Sequence, residues 1–203
     1  MILLLAVAAG LAAGLLRSWA DRQPYQAPEL NLVWLVFAAA LPQVVAFHLP
    51  WTAVLLSDRV ASWILVISQL GLLIFSAANI KRPGFWLLAA GLTLNLIVIT
   101  INGGWMPIST KTIQVLHPEY PLSAWAIGER PGHSKNILLL QEQIQLYLLA
   151  DRFPFPAWFP WPRAFSLGDG LIAAGAFVLL WKPQGKSLVE ALSKNFHKNK
   201  QPI

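Results

Sequence analysis

Five long apolar blocks dominate this chain, and they limit what it can fold into more than any other feature. They run from Met1 to Leu16, about Leu30 to Leu49, about Val60 to Ile80, Phe85 to Ile101, and Phe165 to Trp181. A helix that crosses the hydrocarbon of a bilayer needs roughly 20 mainly apolar residues, somewhat fewer where neighbours or interfacial side chains help. With 56% hydrophobic and only 12% charged residues gathered this way, the sequence predicts an all-α integral membrane protein of about five transmembrane helices. The first block resembles a signal peptide in its small residues, but Arg17 and Arg22 follow it and no positive charge precedes it, so it is read as a retained anchor. Pro42 should kink the second helix without ending it.

Basic residues near the block ends set the expected orientation. Arg17, Arg22, Lys81 and Arg82 fall on one side with Lys182, Lys186, Lys194, Lys198 and Lys200, leaving Arg59 on the short opposite loop. The N-terminus is therefore expected outside and the tail in the cytoplasm. Residues 1–181 form the expected bundle, including an outer loop over 102–164, and 182–203 form a basic cytoplasmic tail. In that tail Ser187 and Glu190 make a capping pattern, and Leu188, Leu192 and Phe196 recur at helical spacing. Either a basic amphipathic helix on the inner leaflet or a solvated tail fits, and both explain the net charge of +6 without nucleic acid.

Function classes fall away quickly. Cysteine is absent, which excludes disulfides, thiolate catalysis and thiolate metal sites. His48, His117, His133 and His197 have no close carboxylate or histidine spacing of a metal site, and neither a P-loop nor a GxGxxG is present. No cofactor is specified. His48 is a conceivable axial ligand to a pigment or haem, though a lone interfacial histidine is more often a polar end group.

Small residues mark helix contacts: Gly10 and Gly14 in the first block, Gly170 and Ala174 in the last, either joining those two helices or meeting another subunit. Gln43, Gln69 and Asn95 lie inside blocks two, three and four, and a shared hydrogen-bond cluster is the cheapest way to bury three amides. No charged residue lies deep in a block, which disfavours a carrier or channel.

The outer segment is too long for a simple connection and too apolar for disorder. NILLLQEQIQLYLLADRF has the residue types of a further helix, and FPFPAWFPWPRAF, with four prolines and five aromatics, should lie along the outer surface. In FSLGDGL, Ser166 and Asp169 fit a helix-capping pattern. Asp151 follows an apolar run and is expected either exposed or paired with Arg163 or Lys111. Gly103 or Gly104 suits the left-handed position that ends a helix, and Pro107 keeps the helix from resuming.

NGGWMPIS after a membrane helix, LLADRFPFP further on and FSLGDGL opening the last helix resemble a family of bacterial multi-pass membrane proteins catalogued as a domain of unknown function. The resemblance implies a compact domain of the bacterial inner membrane with an ordered outer segment, and carries no activity. Asn102, Asp151, Asp169 and His117 would then share the outer face as a polar cluster. The expected function is an accessory or structural subunit of a larger membrane complex, with membrane lipids and other subunits as partners. A membrane enzyme acting on a lipid or lipid-linked substrate at the outer face, with Asp151, Asp169 and His117 as acid and base, is the alternative, and a small carrier or channel the third.

Overall fold

The computed structural model describes residues 1–156 and 158–181. The expected tail helix around Leu188, Leu192 and Phe196 lies outside the described residues.

Among the described residues the fold has seven α-helices and two small strand pairs. Helix α1 spans Ile2–Ala20 and α4 spans Asp58–Ala78, and these two are long and apolar enough to cross a membrane. Three more apolar helices are shorter: α2 (Trp34–His48, 15 residues), α5 (Phe85–Ile101, 17 residues) and α7 (Leu167–Trp181, 15 residues). Blocks two and five thus give less helix than their apolar length, because Leu32 takes a left-handed φ of 55° ahead of α2 and Ser166 caps α7 inside the block. Pro42 stays within α2. After an extended Leu49, Pro50 opens the short α3 (Pro50–Leu55), as suits a residue with fixed φ and no amide hydrogen. Ser57 then caps α4, its hydroxyl accepting from the Val60 amide.

The long helices stand in an open row, α1–α7–α5–α4–α2. Gly10 faces Phe177 and Gly14 faces Leu180, so α1 and α7 run parallel, whereas the other neighbours are antiparallel. Gly10 and Gly14 are the buried residues of α1, and a Cβ on Gly10 would lie 2.9 Å from the Phe177 backbone. The expected pair on α7 does not make the contact with α1: Gly170 has nothing near its Cβ position and Ala174 is exposed. Close approach on α7 instead uses Gly168 and Gly175, two turns apart, which meet Gly91 and Gly84 of α5. A Cβ on Gly91 would come 2.5 Å from the Gly168 carbonyl oxygen and one on Gly175 2.7 Å from the Gly84 oxygen. Toward α1 the glycines come from α1, so α7 keeps bulky Phe177 and Leu180 there.

At the end of the row holding the α1–α2 linker, Tyr25 donates to the Leu180 carbonyl at 3.1 Å, and the Asn79 amide donates to Asn31 O at 2.9 Å while accepting from Asn31 N at 2.7 Å. The opposite end carries a folded cap. Its core joins Ala61, Leu65, Val98 and Ile99 of the helices to Trp105 and Met106.

The cap corrects the all-α expectation. Strand β1 (Met106–Ser109) pairs in parallel with β2 (Asn136–Leu139), Met106 opposite Asn136 and Ser109 opposite Leu139. A parallel pair needs a long crossover, here the stretch containing α6 (Thr110–Leu116). Two-residue strands β3 (Phe153–Pro154) and β4 (Ala164–Phe165) pair antiparallel. No helix forms over 136–153. NILL is strand β2, with Leu138 buried against Ile108 and Ile113, and 3-10 turns follow at Gln141–Gln143 and Tyr147–Leu149. Its backbone bonds run across to β1 and to Gly128 and Glu129 instead of along a helix, and Leu146 in a left-handed φ of 54° breaks what remains. The helix of the loop is α6, capped by Ser109, whose hydroxyl accepts from Thr112 N at 3.1 Å.

Candidate functional site

The cap meets α7 through charge. Lys135, just ahead of β2, holds its Nζ 3.3 Å from Asp151 Oδ2 and 3.6 Å from Asp169 Oδ2. Asp151 is fixed by its own backbone, whose amide donates to the Pro107 carbonyl at 3.1 Å. Asn136, next to Lys135, donates from Nδ2 to Asp151 Oδ2 at 2.8 Å. Asp169 sits in the first turn of α7, where its charge complements the helix dipole. Its Oδ1 accepts from Asn95 Nδ2 at 2.7 Å, and its amide donates to Ser166 Oγ at 3.0 Å. Ser166 completes the ring by donating to Asn95 Oδ1 at 2.9 Å.

Six side chains from α5, β2 and its leading residue, the chain ahead of β3 and the start of α7 therefore form one network. Burial differs sharply across it. The side chain of Asp151 is 2% exposed, that of Asp169 20% and that of Lys135 36%. Asp151 Oδ1 is buried with no hydrogen-bond partner among the described residues. Burial pushes the Asp151 carboxyl up to about 6, with the Asp169 charge adding to the rise and Lys135 and Asn136 opposing it. For Lys135, burial works against the ammonium, yet the two carboxylates outweigh it and hold its pKa above the usual lysine range. The cluster can take up a proton at Asp151 at about pH 6 and presents one unused acceptor oxygen.

The residues singled out by sequence are distributed as follows. Asp151 and Asp169 share the cluster, and Asn95 joins them there. Asp151 pairs with Lys135, not with Arg163 or Lys111; the neighbouring Arg152 lies over Tyr147, 4.9 Å from the ring centre. Asn102 is a separate clamp, donating to Gln145 O and accepting from Gln145 N, both at 3.0 Å. His117 is engaged elsewhere, with Glu119 at 3.2 Å and the Trp125 ring at 5.5 Å. The three amides do not meet: Gln69 Oε1 is buried without a hydrogen-bond partner among the described residues, Gln43 is half-buried on α2, and Asn95 turns to α7. His48 is exposed at the end of α2.

Sequence reasoning missed Lys135, Asn136 and the role of Ser166 as a link to Asn95. One signal was present: ILLL between Lys-Asn and Gln fits a short buried strand as well as a helix. Pairing such a strand with MPIS puts Lys135 beside the start of β1.

A family model described as "Family of unknown function (DUF5317)" matches residues 28–181, which take in every member of the cluster. The chain belongs to this family. Helix α1 lies outside the DUF5317 match, and helices α2 to α7 lie within it. An uncharacterized protein of Thermotoga maritima is 30% identical over 145 residues, which cover 70% of this chain and 71% of that protein. No solved structure matches.

Proposed function

We propose that this protein crosses the bacterial inner membrane five times, with the cap outside and the tail in the cytoplasm, and serves as an accessory or structural subunit of a larger membrane complex. The observation that carries the membrane reading is the placement of exposed tryptophans at both ends of the helix row. Trp19, Trp34, Trp86 and Trp181 lie at the end away from the cap, and Trp51, Trp63, Trp158 and Trp161 lie at the cap end or on it, each at least 42% exposed. Indole rings favour the two headgroup layers. The shorter helices rise about 22–26 Å at 1.5 Å per residue, and the belts and flanking turns make up the difference to a hydrocarbon core of about 30 Å.

The subunit reading rests on the open row. Among the described residues helix α1 packs mainly on α7 and leaves Leu4, Leu11, Leu15 and Leu16 exposed. The cluster beneath the cap meanwhile satisfies most of its own charge. Extraction from native membranes in mild detergent, followed by measurement of particle mass and composition, tests it. Recovery in fixed ratio with other subunits supports it; recovery alone or with lipid only removes it. The chain lacks cysteine, so single cysteines placed at Ser123 and Lys81 report sidedness with an impermeant maleimide. Labelling at Ser123 alone in intact cells is expected.

One observation favours a second reading, an enzyme or binding site for a lipid-linked substrate at the outer face. The unused Oδ1 of Asp151, on a carboxyl that holds its proton to about pH 6, is the kind of group that serves as acid or base. Loss of a phenotype in Asp151→Asn with folding intact would move this reading ahead of the first.

A further inference from the structure

The turn that ends α5 also opens a groove. Gly103 and Gly104 take φ values of 75° and 87° and lead the chain off the helix axis into Trp105. Between that turn and the first turns of α4 lies a cavity of about 450 Å³, within the range of small-molecule sites. Its walls are Asp58, Arg59, Ser62, Trp63 and Val66 of α4, with Thr100 of α5 and Trp105. One wall is fixed from behind. The Arg130 guanidinium stacks 4.2 Å from the Trp105 ring centre and donates to Asp58 Oδ1 at 2.8 Å. Asp58 is thereby engaged by Arg130, and the adjacent Arg59 is exposed, with no hydrogen bond or ion pair among the described residues. Ser62 Oγ also makes no hydrogen bond among the described residues. The groove thus combines an apolar, tryptophan-lined wall with an uncommitted guanidinium and a hydroxyl.

We propose that this groove seats the phosphodiester headgroup of an outer-leaflet phospholipid. The guanidinium of Arg59 faces the phosphate, which its planar fork fits in a bidentate way. Ser62 supplies a further donor, and the glycerol and upper acyl chain lie along Trp63 and Val66, where an indole bridges apolar and wet surroundings. A sugar would leave the guanidinium without an anion, and a free phosphate would leave the apolar wall unused. The proposal rests on the five-crossing reading, which puts the cap end of α4 at the outer leaflet.

Native mass spectrometry of the full chain in detergent tests it. The wild type is loaded with phosphatidylglycerol, with diacylglycerol of the same chains, or with glycerol 3-phosphate, and compared with Arg59→Gln and with Thr100→Trp, which fills the groove. One retained phosphatidylglycerol per chain is expected, falling roughly tenfold in Arg59→Gln and lost in Thr100→Trp, with thermal stability of Arg59→Gln unchanged. Diacylglycerol and glycerol 3-phosphate should not be retained. Equal retention by Arg59→Gln, or of diacylglycerol by the wild type, overturns the proposal, and retention of glycerol 3-phosphate alone overturns the lipid source. Failure of the membrane reading shows separately, as labelling of both single-cysteine variants from one side.

Discussion

Replacing Lys135 by Met isolates the electrostatics of the cap. At 3.3 and 3.6 Å from two carboxylates, each attraction is worth about 5 kcal/mol at an effective dielectric of 20. Desolvation of the ammonium and the 36% exposure of its side chain offset much of that sum. What remains after substitution is the penalty of a buried, uncompensated Asp151, and breaking such a pair typically costs about 3–5 kcal/mol. We expect about 3 kcal/mol at pH 8, read as a lowered midpoint for thermal unfolding in detergent followed by tryptophan fluorescence. Near pH 5 Asp151 takes up a proton more readily still in the absence of Lys135, so the loss should shrink to about 1 kcal/mol. Lys135→Met combined with Asp151→Asn should recover part of the stability at pH 8, because the most deeply buried charge is gone and the remaining Asp169 keeps its bond from Asn95. An unchanged midpoint at pH 8, an equal loss at both pH values, or no recovery in the double variant would refute the reasoning.

Four further outcomes follow from the geometry. In the wild type, burial raises Asp151 from 3.8 to about 6; the native state then holds that proton more tightly than the unfolded chain. Its contribution should fall as pH rises through that window, by roughly 3 kcal/mol in total, and Asp151→Asn should flatten this part of the stability profile. Gly91→Ala should destabilise by about 2 kcal/mol because its Cβ meets the Gly168 backbone, whereas Gly170→Ala, with open space around it, should be neutral or stabilise by up to about 1 kcal/mol; unfolding midpoints of the two compare directly. Asn102→Ala leaves both backbone groups of Gln145 without their partner, and a loss of about 2 kcal/mol with faster proteolysis of the cap is expected. Arg130→Gln removes the stack on Trp105 and the Asp58 ion pair, at a cost of about 1 kcal/mol given that Asp58 is 74% exposed.

What could be read from the sequence was what depends on neighbours in the chain. The apolar blocks announced the helices, and Ser166 with Asp169 announced the cap of α7, because capping is settled within four residues. The parallel strand pair was hidden: NILL carries no periodicity, and its partner lies across the α6 crossover. Lys135 was hidden with it, since a lysine before an apolar run is commonplace and only the β1–β2 register brings it to Asp151. The small-residue pattern of α7 failed differently. Helix α7 has small residues on several faces, so Gly170 and Ala174 looked as suited to contact as Gly168 and Gly175. Only the position of α5 decides between them.

The parallel pairing of α1 with α7 also orders the life of the chain. A protein made from its N-terminus produces α1 first and α7 after the cap, and apart from the Tyr25 ring the contacts of Gly10 and Gly14 are with α7. Until then the first helix has no helix to grip, and the Lys135–Asp151 pair has no Asp169 beside it. Arrival of α7 closes both at once, so a ribosome that stalls short of Phe165 leaves a product with an unclaimed helix at one edge and a Lys135–Asp151 pair without its second carboxylate under the cap.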